Sequence, residues 1–306
     1  MDGRGTAGRV GRSDATRRYR VLPYLLVAPT LLFVSVFTLL PLGEVLVGSL
    51  FRQRLNIPKY QVPVFAGLGN FSDLFHNAEF LQVAANTGLY VLMLVPATIA
   101  AALGLAFLVR DKLPGIAFFR LSLFHPTVLP LVSAATIWMF FFTPGYGLWN
   151  QFLRLAGYAG PQNWVGNPSL ALLSLVIVAF WKNAGYLMLF FLSGLQNLDR
   201  SLVEAARLDG ARGPRLLVSI ILPLIRRQTL FVTTIAFIGA FQTVDHVFVL
   251  TQGGPSGTST LPLYYLWQVR FDRLDIGRAD AVTVLLIAAL LAFTVTNTLV
   301  SERHEK

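Results

Sequence analysis

The 306-residue chain contains no cysteine. That excludes a disulfide framework, a thiolate metal site and a thiol nucleophile. Histidine is nearly as scarce, and His76, His125, His246 and His304 are too scattered to build a metal centre. Charge is thin too. Only 13% of the residues are Asp, Glu, Lys or Arg, against about 25% in a soluble domain. Three signatures are also missing: the Gly-x-x-x-x-Gly-Lys-Ser/Thr phosphate loop, His-Glu-x-x-His and Gly-x-Ser-x-Gly. The chain therefore has no P-loop route to ATP hydrolysis. Work driven by ATP would need another polypeptide.

What fills the sequence instead is apolar residues, 55% of the total, with a mean hydropathy of +0.61. A bilayer core takes about 20 apolar residues of helix. Six runs are long enough, at 22–50, 84–109, 117–142, 170–194, 228–250 and 281–300. They predict an all-α membrane protein of about six transmembrane helices. The first run is too long for a signal peptide and lacks a small-residue cleavage site, so it reads as a retained span. Residues 1–20, rich in Gly and Arg, read as a disordered basic tail, 21–301 as the membrane domain and 302–306 as a second tail.

The net charge of +10 raises nucleic acid or anionic lipid as a partner. Its distribution separates the two. Seventeen of the 25 basic residues fall in the N-terminus, the second and fourth loops and the C-terminus; seven fall in the other loops, and Lys182 lies inside a span. Excess Lys and Arg mark the cytoplasmic side. Both termini are therefore expected inside, the basic excess lies against membrane lipid, and no nucleic-acid partner is expected.

Three charges sit at membrane depth: Glu44, Lys182 and Asp245. Such charges face a cavity or each other. Lys182 with one of the acids is either a structural ion pair or part of a polar lining for a solute. Trp181 to Tyr186 places amide, ammonium and aromatic groups together, the mixture that a carbohydrate site needs. Tyr186 stands one helical turn beyond Lys182. Lys182, Asn183 and Tyr186 on the fourth span, with Gln242, Thr243 and Asp245 on the fifth, are the candidate solute contacts. On one continuous helix the last three spread over about 300°, so not all can face one cavity. Trp138, Trp149, Trp164 and Trp267 read as interface markers. Two rival readings use the same residues. A membrane-embedded enzyme would pair Asp245 with His246, although adjacent helical residues point about 100° apart. A proton-coupled carrier would use Lys182 and Asp245, and typically has more spans or a repeat.

The loop at 197–223 reads as two short helices. Ser201 and Glu204 have capping-box spacing, Gly210 suits a left-handed helix stop, and Gly213-Pro214 restarts a helix. Leu216, Leu217, Ile220, Ile221 and Leu224 then share one face, and Pro223 turns the chain toward the fifth span. A cap followed by an amphipathic surface helix would look the same.

Glu204-Ala205-Ala206, three residues, Gly210, nine residues and Ile220-x-Leu222-Pro223 together resemble the cytoplasmic signature of binding-protein-dependent ABC importer permeases. Asp209-Gly210-Ala211 is typical of it. Pro29, Pro41 and Ser49, the 67–71 and 86–87 segments, Pro126, Pro130, Trp138 and the 250–255 loop resemble the sugar and glycerol-phosphate branch, so the likeness runs from about residue 22 to 300. No inserted domain follows the first span, unlike in longer relatives.

The resemblance implies a type I ABC importer permease architecture with a cytoplasmic coupling helix. Glu204, Ala205, Ala206, Asp209 and Gly210 would meet the ATPase, and Tyr186 matches a tyrosine that lines the family's solute site. It further implies a second permease subunit, two ATPase subunits holding ATP and Mg, an extracytoplasmic solute-binding protein and a bacterial inner membrane. No cofactor belongs to this chain. The solute would be a sugar or related polyol or oligosaccharide, and Lys182 leaves an anion such as a glycerol phosphate open.

The orientation is tested by placing single cysteines in this cysteine-free chain. With an impermeant thiol reagent on intact cells, Ser256→Cys should label and Gly11→Cys should not. The opposite pattern would invert the topology.

Overall fold

The computed structural model describes residues 12–111 and 113–302. Four helices are long and apolar enough to cross a membrane, and two bent helix pairs bring the number to as many as six. The first helix runs Arg12–Val34, loosens into a π-helical turn at Ser35–Leu39 and continues as Leu40–Gly48. It starts at Arg12, within the stretch expected to be an unstructured tail; residues 1–11 and 303–306 lie outside the described residues. None of the apolar window in Pro23–Gly48 is buried within the chain. A small hairpin follows, β1 (Phe51–Arg52) against β2 (Val64–Phe65), with Phe51 opposite Phe65.

The second span, Ala78–Val109, begins six residues before its expected start at Ala84, because Asn77 caps it by accepting from the Phe80 N–H at 3.1 Å. The fourth, Ala171–Gln196, is unbroken, and 56% of its apolar window is buried. It is the central post. Ala102 and Ala106 of the second span let the two pack closely around Leu187, Met188 and Phe191.

Two expected spans are not single helices. The third was read as continuous over 117–142. It is Ile116–Val128 and Leu131–Phe141, bent by 98°. Pro130 supplies no N–H, and the residue before a proline is driven to extended backbone, as Leu129 is at ψ 135°. The fifth was read to end at 250. It is the helix Arg226–Phe241, set at 82° to the segment 213–224. Beyond Phe241 the chain leaves the helix and becomes helical again at 245–246, which lead into a π-helical turn at Val247–Thr251. Pro262–Trp267 precedes the last span, Ile276–Glu302.

The third and fourth spans meet at Gly185. A methyl group there would overlap the Leu123 carbonyl and crowd the Phe124 backbone. Gly185→Ala should therefore force the helices apart, at a cost of about 1–3 kcal/mol. Gly104→Ala, with nothing within 4 Å, should be neutral or slightly stabilising. Thermal unfolding of the detergent-purified protein measures both. Equal midpoints would remove the close approach from the fold.

Candidate functional site

A cavity of about 210 Å³ lies among the second, fourth and fifth spans, with Leu131 at the break of the third in its wall. Lys182, Asn183, Tyr186, Gln242 and Thr243 all line it. The fourth span presents its three on one side. The Asn183 amide donates to the Ala179 carbonyl at 2.8 Å, which fixes the rotamer and leaves its oxygen as an acceptor. Tyr186 packs edge-on against Phe190, ring centroids 5.1 Å apart.

Gln242 and Thr243 reach the cavity because the fifth helix ends at Phe241. The 300° spread of a continuous helix therefore does not apply. Asp245 departs from the sequence reading: it is exposed and is not among the lining residues. Its neighbour His246 takes the place, 1% exposed and in the cavity wall. The His246 ring has its Nε2 3.2 Å from the Tyr90 hydroxyl, and that hydroxyl lies 3.4 Å from Thr243 Oγ1. The sequence exposed no signal for this role, since the pairing joins residues 156 positions apart. Nor does an Asp245–His246 dyad form, because the ring faces Tyr90.

The Lys182 ion pair is overturned as well. Its ammonium donates to the carbonyls of Pro126, Thr127 and Leu129 at 3.2, 3.0 and 2.5 Å. Among the described residues it pairs with no carboxylate, and Glu44 is exposed. The tryptophans differ also. Trp138, Trp149 and Trp164 form an aromatic cluster with Phe142, and Trp164 donates to Asn150 Oδ1 at 2.9 Å. That cluster is core packing rather than an interface belt.

The second candidate element is the helix Arg200–Leu208. Its cap is Asp199, which accepts from the Ser201 N–H at 2.9 Å. Ser201 is therefore one residue inside the helix and not the cap that the spacing predicted. That hydrogen bond holds the exposed Asp199 carboxyl below its ordinary pKa. The far end closes as a Schellman motif: Ala211 donates to the Ala206 carbonyl at 2.9 Å and Gly210 to that of Arg207 at 3.1 Å. Gly210 sits at φ +87°, as the sequence required. Glu204, Ala205, Asp209 and Gly210 are exposed, while Val203 and Ala206 turn inward. Those two pack into the same apolar cluster as Tyr186, Phe190 and Leu216.

Residues 18–302 match the family described as binding-protein-dependent transport system inner membrane component. The sn-glycerol-3-phosphate transport system permease protein UgpA of Yersinia enterocolitica is 35% identical over 277 residues, 90% of this chain and 92% of that protein. The probable ABC transporter permease protein YurN of Bacillus subtilis is 30% identical over 278 residues, 90% of this chain and 94% of its own. Among solved structures, a chain of a bacterial alginate ABC transporter, in complex with alginate pentasaccharide-bound periplasmic protein, superposes with a TM-score of 0.76. It is 19% identical and covers 96% of this chain and 97% of its own, so that likeness speaks for the fold. The chain thus belongs to the inner membrane components of binding-protein-dependent transport systems.

Proposed function

We propose that this chain is one permease subunit of an ATP-driven importer that carries a sugar or related polyol or oligosaccharide across a bacterial inner membrane. One observation carries the reading. The exposed helix Arg200–Leu208 and the cavity residue Tyr186 belong to one packed apolar cluster. A push on the helix from outside is therefore felt at the cavity wall. Packed interiors shift between discrete arrangements rather than deforming smoothly. Closure of an ATPase against the helix can in this way bias which side the cavity opens to.

The cavity chemistry fits a polyhydroxylated solute. The Tyr186 ring offers a face to C–H groups, while Asn183, Gln242 and Thr243 supply neutral donors and acceptors for hydroxyls. The glycerol-phosphate permease relatives and the alginate importer neighbours support a carbohydrate-like cargo. Among the described residues no group of three His, Asp or Glu side chains could hold a metal. ATP and Mg belong to two partner ATPase subunits in this reading. A second permease supplies the other half of the path, and an extracytoplasmic solute-binding protein delivers the cargo. Both termini and the 197–223 loop lie in the cytoplasm, as the Lys and Arg distribution indicates.

Asp199 takes the capping role, which leaves Glu204 free for a partner. Among the described residues Glu204 makes no ion pair, and it sits exposed on the docking side. Glu204, Ala205, Asp209 and Gly210 form the contact in this reading, and Ala206 transmits it inward.

Two expectations follow from this assignment. Asn183→Ala should raise the transport KM by about 2- to 10-fold for the loss of one hydrogen bond, and Tyr186→Ala should raise it through the lost ring contact, with the complex intact; unchanged KM in both would move the solute elsewhere. On the coupling side, Asp199→Ala should cost the helix about 0.5–2 kcal/mol, while Ser201→Ala should cost little. Glu204→Gln should weaken ATPase co-purification, since a partner charge left unpaired in an interface costs about 2–5 kcal/mol. Hydrogen exchange over 200–208 separates helix stability from docking. Wild-type ATPase capture by Glu204→Gln would withdraw the charged contact.

A further inference from the structure

The break in the third span leaves carbonyls that the helix itself cannot satisfy. In a straight helix the Pro126 carbonyl would accept from the N–H of residue 130, and residue 130 is a proline. Leu129, pushed to extended backbone, takes its own carbonyl and that of Thr127 out of the ladder. On the lipid side no water can replace the lost donors. Lys182 supplies donors to three of these carbonyls. An ammonium has three donors and no acceptor, and its three nearest partners are those carbonyls, at 2.5–3.2 Å. The end of the half-helix Ile116–Val128 also carries the negative pole of its dipole, which favours a cation there. The contact is reciprocal, since the Thr127 hydroxyl donates to the Lys182 carbonyl at 3.0 Å. One turn further on, Gly185 lets the two helices touch backbone to backbone.

We propose that Lys182 is a positioning residue: its ammonium is the built-in cation of the third-span break, and it holds Leu131 in the cavity wall instead of binding solute. A lysine that lines a solute cavity reads from sequence as a ligand for an anion. Here every donor on the ammonium is already committed to backbone carbonyls, so the groups left for the cargo on this subunit are neutral. The inference rests on the proposed function only for its transport arm. The geometric arm needs no transport at all.

The experiment uses the purified complex, with Leu131→Cys as the sole cysteine of this chain and partner cysteines removed. The readout is its rate of reaction with a small thiol reagent. In Lys182→Met the break should loosen and labelling accelerate about tenfold, the equivalent of one lost charge-assisted hydrogen bond. Lys182→Ala should behave alike, and methylammonium, which restores an ammonium to the vacated space, should slow labelling again where equimolar sodium does not. Lys182→Arg, which keeps the charge and the donors, should lie between wild type and Met. If Lys182→Met does not assemble, Lys182→Ala purified in methylammonium and then dialysed gives the same comparison. In transport, the Met variant should lose maximal rate with KM unchanged. Wild-type labelling in Met and Ala, no response to methylammonium, or a raised KM at wild-type rate would each overturn the assignment. A complex that responds to methylammonium but moves no solute would keep the positioning role and sink the importer reading.

Discussion

Backbone carbonyls inside a hydrocarbon layer must find donors within the protein, and much of this structure is arranged around where those donors come from. Unbroken helices meet the requirement internally. Several helix ends and one break bring in a side chain from elsewhere. Arg120 reaches back to the Val109 carbonyl at 2.6 and 3.0 Å and so closes the end of the second span. Arg226 does the same for Val300 on the last span at 2.8 Å. Asn297 donates to the Leu230 carbonyl at 3.0 Å and ties the last span to the fifth. Lys182 serves the break of the third. Two of the basic residues counted toward the expected topology, Arg120 and Arg226, thus also serve as helix caps by position.

Charge on the opposite side is organised differently. Arg54 and Arg278 both reach Asp275, Arg52 pairs with Asp73, Arg270 with Asp280 and Arg273 with Glu79. Most of these groups are part-exposed, and isolated pairs of that kind contribute at most about 1 kcal/mol each. Their value lies in what they join. Together they link the loop after the first span, the start of the second and the start of the last, around the buried Tyr265 and Val269. Glu79–Arg273 also raises the guanidinium's pKa, through the hydrogen bond they share.

The long apolar periodic stretches were legible in the sequence because hydropathy alone places a helix in a membrane. The second, fourth and last spans fell close to expectation. The Gly210 stop was legible too, since only a residue without a Cβ takes that backbone cheaply. Local rules failed where two neighbours competed. Asp199 and Ser201 are both good caps, and the choice between them moves the helix start by two residues. The prolines at 126 and 130 were visible, yet a proline inside a membrane helix does not reveal whether the helix kinks or breaks. At the site, the fourth-span residues could be seen as a cluster because one helix carries them. Asp245 and His246 could not be told apart, because the end of the fifth helix at Phe241 decides which of them turns inward.

The first and fourth spans mark two extremes of self-sufficiency. The first buries none of its apolar window in this chain, whereas the fourth buries 56% of its own and carries a lysine. During synthesis the first helix leaves the ribosome before any of its neighbours exist. Its apolar window is buried by none of them, so lipid can cover that stretch. The fourth emerges only after the second and the broken third are made, and these hold much of the apolar surface it packs against and the carbonyls its lysine requires. The order of translation therefore places a helix that lipid can cover first, and the lysine-bearing helix after the spans that carry the carbonyls it serves.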